Sequence, residues 1–307
     1  MRKLVAGQSS GILALVLLAI YFGATAVLAR YLSVGNDLFE QWYMRFGIAT
    51  VAALLVFRKR INLKKFLHLP KRDWQVLALR VLSGGVAAIA LYTLAAQQTK
   101  IGTVAFMQAV PIMALLAVVL MNDKLTPQKA GLVALSFIGA AAVVLENPRD
   151  LLNFDVGGVY SLLSVAFFSL AFLTRKWHTN TLNNQEITVA ILALSFVATY
   201  VLSLVLYQRP FASTDEWSLL FVGVLFFAGI AAVGSIFLQN YGFERVGGVV
   251  AGNILNLELV FGPLFGFIIY LEGITSRELL GGLIILTAAI AMNELDRKKA
   301  AVVPTPD

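Results

Sequence analysis

The chain has 307 residues, of which 59% are hydrophobic and only 13% are charged, whereas roughly 25% of the residues of a soluble domain are charged. It has a formal net charge of +7 and no cysteine, which excludes disulfides, thiolate nucleophiles and Cys-ligated metal centres. The basic residues lie in short segments between apolar stretches, which is typical of membrane topology signals and not of a nucleic-acid-binding surface. The composition therefore predicts an integral membrane protein.

Apolar stretches of about 20 residues follow one another along the chain, and each is long enough to cross a bilayer as an α-helix. The first stretch is too long for the core of a signal peptide, so we interpret it as the first span. The ten predicted spans, numbered one to ten in chain order, are 11–32, 38–57, 74–97, 101–121, 128–146, 156–174, 186–207, 217–241, 246–270 and 277–294. The predicted fold class is an all-α integral membrane protein with ten transmembrane helices.

The distribution of positive charge predicts the orientation. Of the 24 Lys and Arg residues, seventeen lie on the side of the amino terminus, five lie on the other side, and Arg45 and Arg80 lie within spans. Cytoplasmic loops carry an excess of Lys and Arg, so this asymmetry predicts that both termini are cytoplasmic. We expect a multi-pass protein of a bacterial or archaeal cytoplasmic (inner) membrane.

A short signature occurs once in each half of the chain. Residues 123–126 (DKLT) follow span four, and residues 272–275 (EGIT) follow span nine. Each signature is an acid, one further residue, a branched aliphatic residue and threonine. The spacing predicts two five-span repeats, residues 1–150 and 151–307, which are inverted relative to each other because each has an odd number of spans.

Several motifs accompany the signature. They are Tyr21-Phe22-Gly23 in span one, Arg45 in span two, Pro111 in span four and Leu257-Glu258-Leu259-Val260-Phe261 in span nine. With the signature they resemble the drug/metabolite transporter (DMT) superfamily, EamA type, over residues 11–295. The resemblance implies two EamA-like five-helix repeats. It also implies a central cavity formed by spans one to four and six to nine, with spans five and ten at the periphery.

Arg45 lies about seven residues into span two, roughly 10 Å from the outer end at 1.5 Å per residue. A charge at this depth is costly unless another group compensates it. Arg45 can snorkel to the surface, hold an anionic group of a substrate, or pair with Glu40. The pair would be strained, because residues five apart lie about 140° apart around a helix.

Glu258 lies about twelve residues into span nine, near the membrane midplane. It is the candidate proton-coupling residue or the counter-charge for a substrate amine, and an interhelical hydrogen bond is its alternative role. Asn253 and Asn256 are candidate substrate-binding residues, but on an unbroken helix they point away from Glu258. A kink at Gly252 or at Gly262–Pro263 would permit all three to line one cavity.

Other polar and aromatic side chains within the spans are further candidates for substrate binding. They are Trp42, Tyr92, Gln108 and Gln239. Amides often join helices by hydrogen bonds, and aromatic residues often mark the membrane interface, so these structural roles remain open as well. Gln108 lies in mid-membrane one turn before Pro111, which frees a backbone carbonyl that a cavity can use.

No catalytic or metal-binding pattern is present in the sequence. His68 and His178 are predicted in cytoplasmic loops, about 110 residues apart, without metal-ligand spacing, and the chain has no phosphate-binding loop. We therefore expect no enzymatic activity, no cofactor and no metal. The expected partners are a small-molecule substrate and membrane lipids, with protons as the candidate coupling ion and no nucleic acid.

The predicted function is secondary transport of a small metabolite by alternating access of the two halves to a central site. One arginine, several amides and one midplane carboxylate suit an amino acid or a similar zwitterionic solute, with export as the expected direction. The alternative substrate is a cationic drug or amine. A membrane enzyme or a non-transporting receptor is a more distant alternative.

Overall fold

The computed structural model describes residues 2–32, 37–98, 101–144, 156–208, 210–211, 217–271 and 273–302. Within these ranges the regular structure is entirely helical. Eight of the helical segments in the described part of the chain are long and apolar enough to cross a membrane. Helix α2 and the broken pair α6 and α7, defined below, occupy the positions of the other two predicted spans.

The helices of the first half are α1 (Arg2–Leu32), α2 (Leu38–Val56), α3 (Lys64–Leu67), α4 (Lys71–Arg80), α5 (Ile89–Gln98), α6 (Ile101–Gln108), α7 (Ile112–Met121) and α8 (Pro127–Val144). The helices of the second half are α9 (Val156–Leu173), α10 (Asn184–Tyr207), α11 (Leu219–Arg245), α12 (Gly248–Leu255), α13 (Glu258–Tyr270) and α14 (Ser276–Val302). A π-helical segment, Val81–Ala88, joins α4 to α5, and a 3-10 turn, Thr174–Trp177, follows α9.

The helix ends differ from the predicted span ends at both termini. Helix α1 already begins at Arg2, and α14 continues to Val302, so both helices extend beyond the apolar stretches from which the spans were predicted. The extensions carry polar and charged residues, which a hydropathy pattern alone does not assign to a helix. The predicted division of the chain at residue 150 lies outside the described residues.

The threonine of each repeated signature begins a helix. Thr126 precedes α8, and its hydroxyl accepts a hydrogen bond from the backbone N–H of Lys129 at 3.4 Å. Thr275 precedes α14, where it accepts from the N–H of Glu278 at 3.2 Å and donates its own N–H to the Glu278 carboxylate at 2.7 Å. These are N-cap contacts, which satisfy N–H groups that have no partner inside the helix. The signature threonines are therefore helix start signals.

The packing of the two halves repeats around a pseudo-two-fold axis. Span one (α1) packs against span eight (α11) and span nine (α12 and α13), just as span six (α9) packs against span three (α5 and the π-helical segment) and span four (α6 and α7). Spans two and seven (α2 and α10) pack against each other, as do spans four and nine (α7 and α12). The architecture is thus that of two inverted five-helix repeats.

Spans five and ten form a separate pair. Their helices, α8 and α14, pack extensively against each other and have fewer contacts with the remaining spans. Their backbones cross at Gly139 and Gly281, where a Cβ on Gly281 would lie only 2.6 Å from the Gly139 carbonyl oxygen. Small residues permit such close approach of membrane helices.

The two symmetry-related spans four and nine are both broken near their centres. Span four breaks between Gln108, the last residue of α6, and Ile112, the first residue of α7, with Pro111 at the N-cap of α7. Span nine breaks at Asn256 and Leu257, between α12 and α13. Discontinuous helices at the midplane are typical of transporter binding sites, because they leave backbone groups and helix ends available.

Candidate functional site

Arg45 is buried in the first half of α2, with 4% of its surface exposed. Its guanidinium carbon lies 4.3 Å from the centroid of the Trp42 ring, one helical turn earlier, and its side chain also interacts with the Tyr21 hydroxyl of α1. Its Nε has no hydrogen-bond partner among the described residues. Trp42 and Tyr21 therefore hold the cation in place and leave donor capacity for an anionic group.

The break in span nine changes the geometry expected around Glu258. The sequence allows a kink at Gly252 or at Gly262–Pro263, but the interruption lies at Asn256 and Leu257, so that Glu258 is the first residue of α13. Its carboxyl group is half-buried and interacts electrostatically with the hydroxyl of Tyr92 in α5. Backbone hydrogen bonds continue across the interruption, from the Asn256 N–H to the Gly252 oxygen at 3.4 Å and from the Leu257 N–H to the Ile254 oxygen at 3.0 Å. It is a tightened helical turn, which changes the angle between Glu258 and the α12 residues from that of a regular helix.

Helix α1 contacts both the Arg45 side chain, through Tyr21, and the helix that begins with Glu258. Gly23 of α1 contacts α13 so closely that a Cβ at this position would lie 2.7 Å from the Cβ of Phe261. In α1, Tyr21 lies two residues before Gly23, and in α13, Glu258 lies three residues before Phe261. The two helices run in the same predicted direction. At 1.5 Å per residue, the partner of Arg45 and the carboxyl of Glu258 therefore lie at similar depths, within about 2 Å.

Asn253 and Gln239 are both buried. Asn253, in α12, is 3% exposed, and neither its amide nitrogen nor its amide oxygen has a partner among the described residues. An unsatisfied buried amide is costly, so Asn253 is available for a ligand or for a different packing arrangement. Gln239, in α11, is 5% exposed and directly precedes Asn240, which belongs to a different polar cluster described below.

The amides of Gln108 and Asn256 join helices. The Gln108 amide nitrogen donates to the backbone oxygen and to the hydroxyl of Ser161 in α9, at 3.3 Å each. The Asn256 amide nitrogen donates to the Ser136 hydroxyl of α8 at 3.0 Å. Both residues are half-buried, so each amide oxygen can still accept from a ligand. In this conformation the amide nitrogens serve the alternative role of interhelical contacts.

A buried network around Arg80 was missed from the sequence. Arg80, 3% exposed, donates from Nε to the Ala171 carbonyl at 2.9 Å and from Nη2 to Asn240 at 2.7 Å. The Asn240 amide donates in turn to Thr188 at 3.0 Å. Arg80 thus connects spans three, six, seven and eight. The sequence placed it inside a span but contains no signal for its partners, which are 91 and 160 residues away.

A second group of polar side chains, next to the Arg80 network, links α4 to the loop after span six. The His178 Nδ1 lies 3.1 Å from a carboxylate oxygen of Asp73, which also accepts the Thr179 N–H at 2.9 Å and the Thr179 hydroxyl. His178 was predicted in a loop, but it is 9% exposed. Burial and the nearby Arg80 lower the pKa of His178 to about 4. His178 is therefore neutral near pH 7.

We predict that this histidine makes the protein less stable in acid. The folded-state pKa of about 4 is below the unfolded value of 6.5, so the unfolded chain binds the extra proton first. The contribution of His178 is complete above pH 6.5 and decreases as the pH falls toward 4, by about 2 kcal/mol at pH 5. Melting temperatures between pH 7.5 and 5 should fall more steeply for the wild type than for His178→Gln. Parallel pH profiles would contradict the assignment.

Asp123, the acid of the first signature, caps a helix of the other repeat. Its carboxylate accepts the backbone N–H of Gly248 and, at 3.4 Å, that of Val249, at the beginning of α12. A carboxylate at a helix N-terminus is favoured by the unpaired N–H groups and the helix dipole. Gly248 permits the contact, because a Cβ there would lie 2.5 Å from the Cβ of Ala117 in α7. Glu272, the equivalent acid of the second signature, lies outside the described residues.

The contact between Asp123 and α12 joins the cytoplasmic ends of spans four and nine in the predicted orientation. These are also the two spans that are broken at the midplane. Glu258 lies at the other end of α12 from the Asp123 contact, at the break of span nine.

Comparison with known proteins identifies the family of the chain. A Synechocystis sp. protein described as "uncharacterized transporter sll1164" is 24% identical over 264 residues, which are 81% of this chain and 73% of that protein. A protein of known crystal structure superposes with a TM-score of 0.73 over 95% of this chain and 99% of its own, at 13% identity, so the likeness extends to the fold. Residues 9–145 and 156–293 each match the EamA-like transporter family. The chain belongs to the EamA-like transporter family, and it is a multi-pass membrane transporter.

Proposed function

We propose that the protein is a secondary transporter that exports a small zwitterionic solute, such as an amino acid, across the cytoplasmic (inner) membrane. The proposal rests on one observation above all. A buried arginine of the first repeat interacts with α1 through Tyr21, and α13, which begins with a carboxyl group of the second repeat, contacts α1 at Gly23. A zwitterion carries one charge of each sign, so it can match both groups.

The contacts of the two charged groups support this assignment. Arg45 Nε has no partner among the described residues, and the planar guanidinium is suited to a carboxylate. Glu258 begins α13 and interacts with Tyr92. Trp42 adds an aromatic face beside Arg45, the buried Asn253 amide has no partner in the described part of the chain, and Gln239 remains a candidate on α11.

A screen followed by a transport assay tests the proposal. Purified protein is heated with amino acids, their amides and a set of organic amines, since a ligand of the folded state raises the melting temperature. We expect a stabilising amino acid and exchange of the same labelled compound in proteoliposomes. Stabilisation and exchange by amines alone would support the alternative, a cationic drug or amine exporter neutralised by Glu258. No exchange of any stabilising compound would contradict transport of this class.

Alternating access requires a contact that closes one side, and Asp123 at the start of α12 supplies it in the proposed mechanism. The contact joins the two repeats. In the orientation that the positive charges predict, it lies at the cytoplasmic end of both broken spans. When the repeats rock about the central site, this contact opens and the site becomes accessible from the cytoplasm. Both termini are cytoplasmic in this proposal, as the positive charges predict.

We predict that Asp123→Asn opens the cytoplasmic side more often. The chain has no cysteine, so a single Met113→Cys, between α7 and α12, reports on this opening. Asparagine keeps a capping oxygen but loses the negative charge, which contributes about 0.3–1 kcal/mol at a helix N-terminus, so the rate of maleimide labelling in inside-out vesicles should rise about two- to fivefold. Lys124→Gln, a neighbouring exposed residue, is the control and should leave the rate unchanged. Equal labelling of the wild type and Asp123→Asn would exclude the contact as a gate.

A further inference from the structure

A cleft of about 590 Å³ opens where α2 ends, beside the beginning of α10 and the second half of α11. Three consecutive cations, Arg58, Lys59 and Arg60, line one side of it, and we call them the basic triplet. Leu55, Val56 and Phe237 belong to the apolar side. The cleft is distant from Arg45 and Glu258 along the chain and has no role in the transport mechanism above.

The basic triplet has no counter-charge within the described part of the chain. All three side chains are exposed, and none of them forms an ion pair with a described residue. The carboxylate at the start of α10, Glu186, already has partners within the protein. It accepts from Lys65 Nζ at 2.9 Å and from the backbone N–H groups of Asn62 and Asn183 at 3.0 and 2.9 Å. The positive charge of the cleft is therefore available to an anion from outside the chain.

The other side of the cleft continues into the lipid-facing surface of α2. Leu55 and Val56 are 65% and 69% exposed, and Val51, one turn before Leu55, is 59% exposed. The rings of Phe57 and Phe237 pack with their centroids 5.6 Å apart and form an apolar floor. An occupant of the cleft thus meets cations at one end and hydrocarbon at the other. Such a surface fits an amphiphile better than it fits a soluble ion.

We propose that the cleft is a binding site for one anionic phospholipid of the cytoplasmic leaflet. The phosphodiester contacts the basic triplet, and one acyl chain lies along Val51 and Leu55. Basic pockets at the cytoplasmic ends of membrane helices are suited to such headgroups, whereas a zwitterionic lipid brings its own ammonium group to the cations.

Native mass spectrometry of the purified full-length protein tests the site. The probes are phosphatidylglycerol and phosphatidylcholine with identical acyl chains, each added in detergent. The cleft variant is Arg58→Gln/Lys59→Gln/Arg60→Gln. The matched control, Lys64→Gln/Lys71→Gln/Lys124→Gln, removes the same charge from exposed cytoplasmic positions outside the cleft. Thermal unfolding confirms that each variant is folded, and the single variants Lys59→Gln and Lys71→Gln replace the triple variants if either is not.

We expect the wild type and the control to retain phosphatidylglycerol in preference to phosphatidylcholine. The cleft variant should retain phosphatidylglycerol at least about tenfold less, since each basic residue near a lipid surface contributes severalfold to binding. An equal loss in cleft variant and control would mean diffuse attraction by surface charge and would overturn the site. Full retention by the cleft variant, equal retention of the two lipids, or displacement by millimolar inorganic phosphate would overturn it as well.

Discussion

Arg45→Gln is expected to weaken binding of an amino-acid substrate by at least about 100-fold. The side chain is buried against Trp42 and Tyr21, and its Nε has no partner among the residues that the structure describes. Removal of the guanidinium leaves a substrate carboxylate buried without its partner, which costs about 3–5 kcal/mol. Isothermal titration of the purified variant, with the stabilising ligand from the thermal screen, measures the loss.

A comparison of the same ligand with its amide, in which a neutral amide group replaces the carboxylate, distinguishes a loss of substrate recognition from a loss of folding. The wild type should bind the amide much more weakly than the acid, whereas Arg45→Gln should bind acid and amide about equally. Arg45→Lys should be intermediate, because it keeps the charge and loses the planar fork. If the wild type binds both compounds equally well, Arg45 does not hold a carboxylate, and its structural contacts with Trp42 and Tyr21 explain its burial.

Glu258→Gln should abolish uptake driven by a pH gradient while preserving exchange of substrate. Glutamine has nearly the same size and can still form hydrogen bonds, but it cannot carry a proton. Glu258 lies at the break of span nine, where the two parts of the helix can change their relative angle. A carboxyl group at this position can load a proton from one side and release it to the other. Proteoliposome uptake with and without an imposed gradient measures both activities.

A control on the same chain distinguishes coupling from a general loss of charge. Glu278→Gln changes an acid at the start of α14, where glutamine can replace glutamate in the capping contacts with Thr275. This variant should keep the response to the gradient. If Glu258→Gln also responds fully, Glu258 is a packing residue, and the transporter uses another coupling mechanism or none.

The membrane fold could be predicted from the sequence because its main determinant is local. A bilayer selects for runs of about 20 apolar residues, and these runs can be counted without knowledge of any long-range contact. The inverted repeat was also visible, because the DKLT and EGIT signatures stand at equivalent places. The structural role of the signature residues, however, could not be predicted from the sequence. Its threonines cap the following helices, whereas Asp123 caps a helix 125 residues away.

The candidate site was only partly accessible to sequence reasoning. Arg45 and Glu258 stood out as charges inside apolar spans, which are rare for energetic reasons. The helical phase, however, separated Glu258 from Asn253, and only the tertiary structure shows that the helix breaks at Asn256 and Leu257. The break depends on how α12 and α13 pack against α1 and α7, and glycines and a proline nearby pointed to other positions.

The sequence by itself determined the all-helical membrane fold, the two repeats and the charged residues worth examining. Tertiary structure alone decided which partners the polar groups have. Arg80 donates to Ala171 and Asn240, and His178 contacts Asp73, whereas Arg45 contacts the aromatic side chains of Trp42 and Tyr21. In hydrocarbon a polar group is costly until it finds a partner, and the partner can lie on any helix. Composition and periodicity describe single helices, so they do not contain this pairing.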